Sequence, residues 1–127
     1  MKKKIAILGS TGSIGEFTLE VIRKDKKNFD VILLTANNNY KKLIQQAKEF
    51  DVENVLIGNK NFYKKVKNSL KKNKIKVYSG NISITKIVSG KLDYTMSAVV
   101  GLAGLQPTID AIKISRTVAI ANKEAII

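Results

Sequence analysis

An α/β fold, a doubly wound and mainly parallel sheet with flanking helices, is predicted by three features of the sequence. Apolar runs of strand length alternate with helix-length segments from one end of the chain to the other. The runs are β-branched, nearly continuous and poor in charge, the pattern of strands buried on both faces. A glycine-rich stretch, GSTGSIG (9–15), joins the first run to the first helical segment.

Taken in order, the runs are IAILG (5–9), FDVILLTA (29–36), NVLIG (54–58), KVYSG (76–80), YTMSAVV (94–100) and TVAIA (117–121), which makes six strands. Between them lie GEFTLEVIRKD, YKKLIQQAKEF, NFYKKVKNSLKKN, ITKIVSG and PTIDAIKIS. In the first of these Phe17, Val21 and Ile22 are expected on one apolar stripe, and in the second Leu43, Ala47 and Phe50. Pro107 with Thr108 suits the first turn of the last helix, where no backbone donor is needed. Strand–helix alternation throughout predicts right-handed crossovers and one domain over residues 1–127, with no linker or internal repeat.

Composition narrows the chemistry. With 44% hydrophobic residues in 127, a folded core is expected. Neither cysteine nor histidine occurs, so there is no disulfide framework, no thiolate chemistry and no imidazole base or ligand. The start, MKKKIAILG, has the basic flank of a signal peptide, but glycine interrupts its apolar stretch too early for a signal sequence or a membrane span. A reducing cytoplasm is the expected location. The net charge of +13 raises the question of a nucleic-acid partner. Lysine, a solvated point charge, supplies 21 of the 23 basic residues, in runs such as KKVKNSLKKNK (64–74), and the aromatic residues sit in core-like places. A solvated face that draws phosphorylated small molecules is the expected role. The stretch TVAIANKEAII, apolar to the last residue, reads less like the end of a domain than like a cut.

The glycine turn follows a strand and opens a helix, the setting of a dinucleotide-binding, Rossmann-like turn. Its spacing places Gly9, Gly12 and Gly15 where such a turn needs a chain reversal, a close approach of backbone to diphosphate, and close helix–strand packing. The first-turn N–H groups face the anion, and Ser10, Thr11 and Ser13 add hydroxyl donors. No Gly-Lys-Ser/Thr follows, which excludes a Walker A loop. The second strand ends in Asn37, Asn38 and Asn39, followed by Lys41 and Lys42, with no carboxylate to repel a 2′-phosphate, so NADP is favoured over NAD. Small residues in SAVVGLAGLQPT (97–108) are expected to let a flat ligand approach the backbone. Asn122, Lys123 and Glu124 at the end of the sixth run suit a ribose, nicotinamide or phosphorylated substrate.

GSTGSIG, the Asn turn, SAVVGLAGLQPT and ANKE, in this order, make the whole chain resemble the amino-terminal, NADPH-binding domain of the 1-deoxy-D-xylulose 5-phosphate reductoisomerase family of the non-mevalonate isoprenoid pathway. The resemblance implies that Thr11, Gly12, Ser13 and Ile14 line the cofactor phosphates, that Asn37, Asn38 and Asn39 lie near the adenosine ribose, and that Asn122 and Glu124 face NADPH. Lys123 matches the family's substrate-contacting lysine. Many members carry Gly-Lys-Asn where this chain has three asparagines, which leaves Lys41 or Lys42 as substitutes for the missing lysine. The family's oxidoreductase chemistry uses NADPH and Mg²⁺ or Mn²⁺ on a phosphorylated sugar, and its members are homodimers. The metal's carboxylate ligands belong to the part after ANKE, so the 127-residue chain is expected to bind NADPH and to be inactive alone, with no nucleic-acid or membrane partner. Two alternatives are a cofactor domain of another NADP-dependent reductase and a basic nucleic-acid-binding module.

Overall fold

The computed structural model describes residues 2–99 and 101–121. Six strands form one parallel sheet in the order β4-β3-β2-β1-β5-β6. They are β1 (Lys3–Leu8), β2 (Phe29–Ala36), β3 (Asn54–Ile57), β4 (Lys76–Ser79), β5 (Leu92–Ser97) and β6 (Ser115–Ile120). The helices are α1 (Ser13–Arg23), α2 (Tyr40–Phe50), α3 (Tyr63–Leu70), α4 (Ile84–Ile87) and α5 (Leu105–Ile114). The doubly wound parallel sheet expected from the alternation is therefore present.

Successive side chains of a strand point to opposite faces, and β1 displays this directly. Ile5 and Ile7 join Leu19 and Ile22 of α1, Leu43 and Ala47 of α2, and Val66 and Leu70 of α3 in one apolar layer. Ala6 and Leu8 face the other way, onto Ile84 and Ile87 of α4 and Ala111 of α5. The chain winds outward from β1 in one direction through β2, β3 and β4, then returns to build β5 and β6 on the other side. Each winding covers a different face of the sheet.

Several elements are shifted from the expected boundaries, β5 to Leu92–Ser97 and α1 to Ser13–Arg23 among them, and two of the shifts have clear local reasons. The helix in ITKIVSG stops at Ile87 because Val88 turns extended (φ −90°, ψ 125°), and Val88 buries itself in the second layer as the chain enters β5. The last helix begins two residues early, so Pro107 is its third residue, still within the first turn where its missing N–H is not needed. That helix runs straight into β6, whose first residue, Ser115, shares a 2.7 Å hydroxyl–hydroxyl hydrogen bond with Thr95 of β5.

The stripe expected on α1 is corrected. Gly15, Leu19 and Ile22 face the sheet, whereas Phe17 and Val21 are 65% and 53% exposed. Gly15 lies so close to the preceding turn that it sets the rotation of the helix, and the buried positions follow from it at spacings of four and three. Phe17, expected in a core-like place, instead borders an open groove over Tyr94 and Met96.

Arg23 of α1 donates from Nη2 to Glu49 Oε1 of α2 at 2.9 Å. That hydrogen bond is the largest influence on the Glu49 carboxyl and, against desolvation and with lesser help from the charges of Arg23 and Lys26, holds it below its ordinary value. Its stabilisation is fully present above the unfolded carboxylate value, about 4.3, and is lost as pH falls through the lowered folded value. Both partners are largely exposed, so the pair contributes little beside the core. Urea denaturation is expected to show Leu43→Ala, at a fully buried site, losing about 2–5 kcal/mol. Arg23→Gln loses far less, and that loss vanishes as the solution is acidified below the carboxylate range.

Candidate functional site

β1 ends at Leu8, and the chain reverses at Gly9 in a left-handed conformation (φ 78°). A side chain there would meet the carbonyl oxygen of Ala98, just past β5, at 3.1 Å. The Gly9 N–H donates to both the carbonyl oxygen (3.1 Å) and Oγ1 (3.0 Å) of Thr35 on β2. The Ser10 N–H donates to the same carbonyl at 2.9 Å. The turn is thus wedged between β2 and the loop that leaves β5.

Gly15 and Gly12 have opposite surroundings. A Cβ on Gly15 would lie 2.5 Å from the Gly9 carbonyl oxygen and the Ser10 Cα, so α1 can start here only on a residue without one. A Cβ on Gly12 would meet nothing nearer than that carbonyl at 3.9 Å. Gly12 is the N-cap of α1 in ordinary extended backbone (φ −82°) and has no side chain to accept from the first-turn N–H groups. Thr11 is half-buried, and Gly12, Ser13 and Ile14 are exposed around this uncapped end. Uncapped first-turn amides and the positive end of a helix dipole are the arrangement that favours an anion.

Glu16, also in the first turn, would repel an anion, but its carboxylate pairs with the Lys42 ammonium of α2. That pairing corrects one expectation, because Lys42 is engaged by Glu16 and is not free for a 2′-phosphate. Lys41 remains exposed and makes no ion pair within the described residues. Ser10 is a second correction. Its hydroxyl is buried, donating to Gln46 Oε1 at 2.8 Å, while Gln46 Nε2 donates back to the Ser10 carbonyl at 2.9 Å. Ser10 therefore has no donor to offer a ligand.

The three asparagines follow β2 at the same end of the sheet, with distinct duties. Asn39 caps α2, its Oδ1 accepting from the Lys42 N–H at 3.3 Å. Asn38 Oδ1 accepts from Asn59 Nδ2 at 2.9 Å, which ties this turn to the one after β3. The Asn37 amide is exposed and makes no side-chain hydrogen bond within the described residues. Beyond β5, a Cβ on Gly104 would lie 2.6 Å from the Val99 carbonyl oxygen, so this glycine of the small-residue stretch serves the packing of its own loop. On the α4–α5 side of the sheet a cleft of about 470 Å³ lies between the segment after β4, from Gly80 to Ile84, and the start of α5, floored by Leu8, Thr35 and Leu56 and walled by Val99 and Pro107. Asn122, Lys123 and Glu124 lie outside the described residues.

Reading the residues alone did not single out Thr35, Gln46 or Asn59. Gln46 left a signal, being a polar residue inside the apolar stripe of Leu43, Ala47 and Phe50. Thr35 acts mainly through its backbone, and Asn59 through a partner 21 residues away, so neither showed in local pattern.

A parallel sheet wound in two directions from β1, with a glycine turn and an uncapped helix at the point of divergence, defines a Rossmann-like nucleotide-binding domain. Its family is shown by sequence, since residues 5–127 match the family model for 1-deoxy-D-xylulose 5-phosphate reductoisomerase, and the chain belongs to that family. The reductoisomerase of Pelagibacter ubique is 51% identical over 127 residues, covering 98% of this chain and 33% of the relative. That of Bacteroides fragilis is 46% identical, covering 99% of this chain and again 33% of the relative. Among solved structures, the Zymomonas mobilis reductoisomerase in complex with NADPH superposes with a TM-score of 0.92 at 35% identity, over 98% of this chain and 33% of that one. A reductoisomerase in complex with NADPH, fosmidomycin and magnesium gives 0.88 at 29% identity, over 98% and 31%. The chain thus spans about a third of the length of the curated relatives it matches.

The contrast between the two helix-end glycines is testable by thermal and urea unfolding. Gly15→Ala, which forces its methyl into backbone, is expected to cost about 3 kcal/mol or more. Gly12→Ala, with open space and a permitted φ, is expected to stay within about 1 kcal/mol of wild type.

Proposed function

We propose that this chain is the NADPH-binding part of a 1-deoxy-D-xylulose 5-phosphate reductoisomerase. The observation that carries the reading is the open end of α1 at Gly12, where main-chain donors have neither a cap nor a covering side chain. In this reading Thr11, Gly12, Ser13 and Ile14 surround the diphosphate bridge, and hydrogen bonds from main-chain N–H groups hold it without an added charge. Asn37, Asn38 and Asn39 flank the adenosine ribose. Asn37 supplies the free amide, Asn38 and Asn39 hold the turn in shape, and Lys41 is the ammonium left to meet a 2′-phosphate. The absence of a carboxylate at the end of β2 favours NADPH over NADH. Asn122 and Glu124 face the coenzyme and Lys123 the phosphorylated sugar, by the family resemblance.

The complete enzyme rearranges the carbon skeleton of 1-deoxy-D-xylulose 5-phosphate and delivers hydride from NADPH to the resulting aldehyde, giving 2-C-methyl-D-erythritol 4-phosphate. In the complete enzyme Mg²⁺ or Mn²⁺ would supply Lewis-acid polarisation of the substrate oxygens. In this reading the 127 residues supply the coenzyme site, and the complete enzyme works in the cytoplasm as a homodimer. No helix among the described residues is long and apolar enough to cross a membrane. The exposed Lys64, Lys65, Lys71 and Lys72 form a solvated surface with no role in nucleic-acid binding.

Fluorescence titration is expected to show saturable NADPH binding that is clearly tighter than NADH binding. Gly12→Val is expected to abolish it while the domain still unfolds cooperatively. Neutralising Lys64, Lys65, Lys71 and Lys72 together leaves NADPH binding within about twofold, since exposed charges at a distance are screened. A salt-sensitive affinity for nucleic acid coupled with indifference to NADPH would instead favour the basic-module reading.

A further inference from the structure

Gln46 is an amide placed where an apolar residue would serve packing equally well. It is 7% exposed, beside the fully buried Leu43 and Ala47 on the inner face of α2. Both ends of the amide are used on one residue, Ser10, itself fully buried, with Oε1 accepting from the hydroxyl and Nε2 donating to the carbonyl. From β2, the Thr35 carbonyl accepts from the Ser10 N–H. Ser10 is therefore held at its N–H, its carbonyl and its side chain.

The consequence lies one atom further along the chain. A trans peptide is planar, so the direction of the Ser10 carbonyl sets the opposite direction for the Thr11 N–H. Holding the carbonyl inward on Gln46 turns the Thr11 N–H outward, to the open end of α1. The helix that carries Gln46 is capped by Asn39, the last residue of the asparagine turn, and Gln46 lies seven positions further on, about 10 Å along the helix. One turn in from the cap, Lys42 of the same helix holds Glu16 in the first turn of α1.

We infer that Gln46 is a positioning residue for the coenzyme's diphosphate, acting through the Ser10 carbonyl on the Thr11 N–H. Helix α2 is then the strut that keeps the adenosine-ribose turn in register with the diphosphate turn. The inference rests on the NADPH reading and deepens it.

Two variants of the 127-residue chain test it. Gln46→Met fills the same space without a donor, and Gln46→Glu keeps an acceptor for the Ser10 hydroxyl while removing the donor to its carbonyl. Each is titrated with NADPH and with adenosine 2′-monophosphate, which carries the 2′-phosphate but no diphosphate. Amide NMR follows Thr11, and thermal unfolding reports folding. Both variants are expected to fold, to shift the Thr11 amide resonance, and to lose about tenfold in NADPH affinity, the size of one well-placed polar interaction. Affinity for adenosine 2′-monophosphate stays within twofold of wild type. NADPH affinity within twofold of wild type, or equal losses for both ligands, overturns the inference, and so does failure of both variants to fold. Should only the Met variant fail, the Glu variant decides. A wild-type chain that binds no NADPH removes the underlying reading, and this inference with it.

Discussion

The ligand end of this domain depends on one steric constraint: the chain must reverse after β1 in a space that admits no side chain at Gly9 or Gly15. The Thr35 carbonyl anchors the reversal by accepting from two successive N–H groups, while the Gly9 carbonyl abuts the start of α1. Helix α1 is thereby fixed in both position and rotation, which decides that Leu19 and Ile22 enter the core and Phe17 does not. It also leaves the start of α1 without a side-chain cap and with open space beside Gly12. Packing and binding geometry thus have a common cause at this turn.

The sheet extends that constraint into a site. Because the windings diverge at β1, the turn after β1 leads to α1 on one face, while the segments after β4 and β5 lead to α4 and α5 on the other, where a cleft opens between them. Its electrostatics are mostly backbone. The adjacent carboxylate, Glu16, is neutralised by Lys42, and the side chains at the helix end are uncharged. A chain with a net charge of +13 therefore places main-chain dipoles, and few lysines, at the point where it would hold an anion. The lysine excess sits elsewhere, on exposed positions of α3 and its flanks, where Lys65 lies 5.3 Å above the Tyr40 ring.

Much of this was legible in the sequence because it is periodic or punctuated. β-branched runs located six strands, FDVILLTA and YKKLIQQAKEF fell on β2 and α2 at both ends, and three glycines marked the turn. What escaped depends on side-chain direction in three dimensions. Phe17 and Val21 share a stripe on paper, yet the rotation of α1 is dictated by a backbone contact at Gly15 that no hydrophobic pattern encodes. Ser10 reads like Thr11 and Ser13, and only the arrival of Gln46 from 36 residues away separates a buried tie from exposed ligand candidates. Lys42 reads like Lys41 until Glu16 is placed beside it. Short motifs named the chemistry, and long-range packing decided which of their members are free to perform it.

The central claim is that the uncapped end of α1 holds the coenzyme's diphosphate. Its most direct test is the amide NMR spectrum of the labelled chain with and without NADPH. The largest changes are expected at Thr11, Gly12, Ser13 and Ile14, with smaller ones at Asn37 and little at Lys64 through Lys72. Changes concentrated on the α3 lysines, with the glycine turn unmoved, would contradict it.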